Sequence, residues 1–97
     1  MAAQSGDVKA LDKIIEKQEH LVNAKDENGW TPLHEGARGG HTDVVETLVH
    51  HGAKINERTG NGDGGTALWY AIKKHGNDHA VVNFLKTVGA LNIGPEL

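Results

Sequence analysis

The chain has 97 residues, which favours one domain, with 37% hydrophobic and 24% charged residues and a net charge of −3 with histidine neutral. That balance lacks the basic footprint of a nucleic-acid binder, and no apolar run approaches the ~20 residues of a membrane-spanning helix, so neither nucleic acid nor membrane is an expected partner. There is no cysteine, which excludes disulfides and thiolate metal sites. Together with a start that lacks the basic region and apolar core of a secretory signal, this points to an intracellular, cytoplasmic setting.

The first segment, residues 1–25, holds an Ala-x-x-Gly step at Ala3 and Gly6, an apolar stripe of Leu11, Ile14 and Ile15, and a Val22-Asn23 ending. Ser5 is the sole serine and has no catalytic partner arrangement. The second segment, residues 26–58, predicts two short helices. Thr31 is a good N-cap, and Pro32 sits where a missing N–H costs nothing. Leu33 and Ala37 lie four apart on one face, and Gly39-Gly40 breaks the helix. The next helix begins at Thr42 or a neighbour, with an apolar stripe of Val45, Leu48 and Val49. His50 and His51 fall in its last turn, and Gly52 supplies a left-handed cap. Lys54 to Thr66 reads as a hairpin-like connector.

The third segment, residues 59–97, repeats the pattern. Gly-x-Thr at Gly29–Thr31 returns at Gly64–Thr66, and Gly-Ala at Gly52-Ala53 returns at Gly89-Ala90. The first segment matches the second half of the same unit through Ala37 to Gly40, then Val45, Leu48 and Val49, then Ile55-Asn56. The count is two full units and one truncated unit. Neither helix of a unit is long enough to stand alone, so each buries its stripe against its neighbour.

The unit resembles the ankyrin repeat. The stretch "NGWTPLHEGARGGHTDVVETLVHHGAKIN" carries the resemblance, through Thr-Pro-Leu-His, the Gly-His step and the Gly-Ala-x-x-Asn ending. The resemblance implies an all-α solenoid of helix-turn-helix units joined by β-hairpin-like fingers. The third unit departs from the pattern: it has Thr-Ala-Leu-Trp in place of Thr-Pro-Leu-His, and both its inter-helix loop and the finger before it are longer by two residues.

Several groups invite a chemical reading. "TGNGDGG", Thr59 to Gly65, looks like a phosphate or calcium loop, but it lacks Gly-Lys-Ser/Thr, and Asp63 is its only carboxylate, with Asn61 beside it. It reads as a turn within an expanded finger. His34 has Glu35 adjacent, but neighbouring helical residues do not face each other. The resemblance makes His34 structural, hydrogen-bonded across the turn and neutral. His75 and His79 have metal-like spacing, yet Gly76, Asn77 and Asp78 between them read as a loop, and His50-His51 is a similar weak pair. No cofactor, metal or catalytic constellation is expected.

The resemblance implies a protein-interaction module that binds another protein through its concave face. Carried over by position, that face holds Glu27, Asn28, Trp30, Glu35, Arg38, Asp63, Tyr70, Lys73 and Lys74, acidic at one end and basic at the other. Trp69 takes the position of His34 and reads as packing. The runner-up is a non-catalytic accessory domain of a larger enzyme. The tail "VGALNIGPEL" resembles the close of ankyrin segments attached to algal prolyl-hydroxylase-like proteins. With so few units, the chain is expected to be a monomer or to self-associate weakly through the third unit, where Phe84 is expected to stand partly bare.

Overall fold

The computed structural model describes residues 8–96. The Ala3 and Gly6 step of the truncated unit, with Ser5, lies outside them. The regular elements are α1 (Val8–Lys17), a 3-10 turn (Glu19–Asn23), α2 (Pro32–Arg38), α3 (Thr42–His50), α4 (Ala67–His75) and α5 (Ala80–Thr87). They form two rows. The inner row is α2 beside α4, and the outer row is α1, α3 and α5 in succession. Within a unit, α2 packs on α3 and α4 packs on α5.

The helices start where local chemistry dictates. Thr31 caps α2 through a reciprocal box: its hydroxyl accepts from the His34 N–H, and its own N–H donates to the His34 ring. Thr66 caps α4 through its hydroxyl alone, accepting from the Trp69 N–H at 3.3 Å. Gly36 lies mid-helix in α2, at a cost of about 1 kcal/mol relative to alanine. A Cβ there would crowd Val44 and Val45 at 3.2 and 3.3 Å, so the glycine lets α2 close on α3.

The core runs continuously through Leu11, Ile15, Leu33, Ala37, Val44, Val45, Leu48, Leu68, Ala71, Val81, Val82 and Leu85. Two expected stripes are rephased. In α1 the buried pair is Leu11 and Ile15, while Ile14 is 43% exposed. In α3 Val44 is buried and Val49 only partly so, because this central helix is enclosed by α2 within its unit and by α1 and α5 on either side. Phe84 is partly bare as expected, with its other side packed against the core.

The connectors fold back on themselves without the strand pairing of a β-hairpin. No strand forms among the described residues. The first connector closes through Asp26, whose N–H donates to the Trp30 carbonyl at 2.9 Å and whose side chain accepts from Asn28 and Trp30. The second closes through Thr59, whose N–H donates to Gly65 O at 3.1 Å.

Asparagine ties the connectors together. Asn23 accepts from the Lys54 N–H at 2.8 Å and donates to Gly52 O at 3.2 Å. One unit on, Asn56 accepts from the Leu91 N–H at 2.8 Å and donates to Gly89 O at 3.5 Å. An amide carries both a donor and an acceptor, which each of these two-point contacts requires.

Candidate partner-binding surface

Finger and inner helix meet through aromatic rings. Trp30, at the end of the first connector, stacks on Tyr70 of α4, with centroids 4.3 Å apart. Tyr70 is fixed from its far end, where its hydroxyl lies 2.8 Å from Thr59 Oγ1. Trp69 stands edge-on to Tyr70 at 4.9 Å. The Arg38 guanidinium lies over Trp30 at 4.7 Å, and the Lys73 ammonium over Trp69 at 5.1 Å. Arg38 is held further by Glu35 at 2.8 Å. Beside this array, Arg38, Tyr70, Lys73 and Lys74 bound a shallow slot of about 250 Å³ with almost wholly apolar walls.

His34 lies behind the rings and is used up by the fold. Its Nδ1 accepts from the Thr31 N–H at 3.0 Å, which leaves the proton on Nε2 to donate to Glu57 O at 2.8 Å. Burial pushes its pKa below the ordinary 6.5, against the opposing pull of the Glu57 carbonyl and the Glu57 and Glu35 charges. A neutral ring bonded at both nitrogens has no site left for proton transfer. His75 is also engaged, donating from Nε2 to Arg38 O at 2.7 Å, while His79 Nδ1 accepts from the Val81 N–H. Their rings lie 4.5 Å apart. Among the described residues, no three His, Cys, Asp or Glu side chains are placed to hold a metal ion.

A family model described as ankyrin repeats, three copies, matches residues 1–93. The chain belongs to the ankyrin-repeat family. Its backbone matches that of the crystal structure of the human ASB11 ankyrin repeat domain, with a TM-score of 0.80 and 33% identity over 93% of this chain and 38% of that one. The chain is 39% identical over 61 residues to the mouse 2-5A-dependent ribonuclease, covering 63% of this chain and 8% of the ribonuclease. It is 37% identical over 58 residues to ankyrin repeat domain-containing protein 49 of Bos taurus, covering 60% of this chain and 24% of that protein. This chain thus spans a small part of each.

The matched ankyrin model counts three copies where the sequence reading counts two units and a fragment. The tail's resemblance to prolyl-hydroxylase-like proteins gains no support from these comparisons. In the structure the tail closes the last ankyrin unit. Thr66 donates from its N–H to Ile93 O and from its hydroxyl to Leu91 O, and Gly94 lies against Trp69. Arg58 clamps the same segment, donating to Gly64 O, Gly94 O and Glu96.

The nine candidate residues fall into separate groups. Trp30, Glu35, Arg38, Tyr70, Lys73 and Lys74 belong to the ring array and the slot beside it. Glu27 and Asn28 instead line a hollow of about 540 Å³ between the two finger tips, with Lys25, Asp26, Gly29, Gly60 and Asn61. Asp63 is exposed but lines neither, and its carbonyl accepts from the Glu96 N–H. Glu35 is turned inward, its side chain 10% exposed against 51% for Arg38, so it positions the arginine. Sequence reasoning missed Thr59, the buried anchor of Tyr70, because nothing local ties a connector threonine to a tyrosine eleven residues on. No helix among the described residues is long and apolar enough to cross a membrane.

Proposed function

We propose that the chain is a protein-interaction module with no chemistry of its own, holding another protein against the concave face formed by its connectors and inner helices. One observation carries this reading. Trp30, Tyr70 and Arg38 are gathered into one partly exposed stack, and tryptophan, tyrosine and arginine are the residues that dominate binding hot spots. Membership of a family whose domains are typically interaction modules supports it. The proposed contacts are Glu27, Asn28, Trp30, Arg38, Asp63, Tyr70, Lys73 and Lys74, with Glu35 acting through Arg38. The proposed setting is intracellular, in the cytoplasm. The proposed solution state is a monomer or a weak self-associate through the third unit, where Leu91 is 53% exposed.

The test compares proteins captured from cell extract by the parent chain, by a concave-face variant (Trp30→Ala with Lys74→Glu) and by an outer-row variant (Lys13→Glu with Lys86→Glu). Partners lost only with the first variant support the reading. Partners lost only with the second would overturn it.

A second reading is an accessory domain within a larger enzyme. It is favoured by the coverage of only 8% of the mouse ribonuclease and 8% of a Gibberella zeae palmitoyltransferase AKR1. A longer open reading frame with a catalytic segment tests it.

A further inference from the structure

We propose that the slot between Arg38, Tyr70, Lys73 and Lys74 takes an acidic protein segment, with one apolar side chain entering the slot and flanking carboxylates meeting the cationic rim. The proposal rests on the partner-binding reading above and names the chemistry of the partner.

Three of the four lining residues are cationic, yet the walls are almost wholly apolar. The aliphatic stems therefore form the walls and the charged heads lie at the rim, the usual division for long basic side chains. Tyr70 supplies the rigid wall, stacked on Trp30 and anchored on Thr59. A wall already ordered loses little freedom on binding.

Three cations border the slot, and one of them, Arg38, is paired with Glu35. Glu35 is the acid nearest Arg38 along α2, and it is folded inward on the arginine, which stays half exposed. Trp30 on one side and Glu35 on the other hold the guanidinium in place, and its five N–H donors exceed what one carboxylate oxygen takes up. Lys73 and Lys74 are both exposed. This is a positive patch on a chain of net charge −3, so it selects acidic partners by local complementarity. A basic segment would face the like charges of Lys73 and Lys74 beside the Glu35-paired Arg38. A nucleic acid fits less well: the walls offer almost no polar atoms to read base edges, and its phosphate backbone would run beyond the patch over a negative chain.

The experiment is a selection of short random peptides displayed on phage against the full chain. It is followed by affinity measurement of the enriched peptide on the parent, Lys74→Glu and Lys13→Glu proteins at two salt concentrations. The expected consensus is one large apolar residue set among aspartates and glutamates. Its affinity should fall by about tenfold in Lys74→Glu, fall with added salt, and be unchanged in Lys13→Glu, which makes the same charge change on the outer row. Both variants alter exposed side chains, and circular dichroism checks that they remain folded. A consensus without acidic residues, or binding kept in Lys74→Glu, would overturn the slot assignment and leave the interaction module standing. So would single-stranded oligothymidylate that outcompetes the peptide. Failure to enrich any peptide on the parent chain counts against both.

Discussion

Gly29 and Gly60 meet backbone to backbone, one from each finger. The Gly60 N–H donates to the Asn28 carbonyl at 2.9 Å, and a Cβ on Gly29 would run into the Gly60 main chain. Gly29 also holds φ at +77°, where side chains are disfavoured by about 1–2 kcal/mol. Gly29→Ala adds overpacking of about 1–3 kcal/mol to that strain. It should lower stability by about 2–5 kcal/mol in urea unfolding. Gly62, with φ at +96° and open space around its Cβ, should lose only the conformational part. Equal midpoints for the two alanine variants would refute the finger clasp.

His34 makes stability depend on pH with a definite sign. Its folded pKa lies below the ordinary 6.5, so the unfolded chain binds the proton first as pH falls. Its contribution is complete above pH 6.5, and is lost as pH falls from there through the lower folded value. Urea unfolding at a series of pH values should show this decline, and His34→Gln should flatten it. An unchanged slope in the variant would mean that His34 is not the neutral, doubly bonded group described above.

The phase of α1 is tested by neighbouring isoleucines. Ile15 is 1% exposed and Ile14 is 43% exposed. Ile15→Ala should cost about 2–5 kcal/mol, and Ile14→Ala about 0.5 kcal/mol or less. Leu48→Ala, at a fully buried site in the middle unit, should match Ile15→Ala or exceed it. Thermal melts of the three variants decide the order.

The glycine-rich finger should ignore calcium. A calcium site takes six to eight oxygens, usually including several carboxylates. Asp63 is the only acid between Arg58 and Thr66, and its carbonyl is already engaged by Glu96. Titration should leave the melting midpoint unmoved. A stoichiometric shift at micromolar calcium would show that the finger is a ligand loop.

Features set within a few residues were legible in the sequence. The Thr31 cap, Pro32 at the helix start and the structural role of His34 depend on chemistry inside one turn, and they hold. The repeat itself was visible because its marks recur at near-constant spacing. Features set between units were not. The burial of Val44 depends on helices packed on several sides of α3. The Trp30 and Tyr70 stack joins residues 40 apart and forms only once the fingers close on the inner row. Glu35 could have been assigned correctly, since Arg38 lies three residues on and that spacing brings helical side chains together. The connectors close through a few backbone bonds and side-chain turns without a strand ladder, which periodicity does not register.

The asparagine contacts give the molecule a direction. Asn23 reaches forward to Gly52 and Lys54, and Asn56 reaches forward to Gly89 and Leu91, each spanning a single unit. Couplings of that reach behave like the teeth of a zip, and an array so joined can fray from an end without opening in the middle. Loss of the Asn56 amide should therefore loosen the third unit and its tail while the first unit hardly notices. The slot bounded by Tyr70, Lys73 and Lys74 sits on that fraying end, so whatever occupies it also fastens the zip.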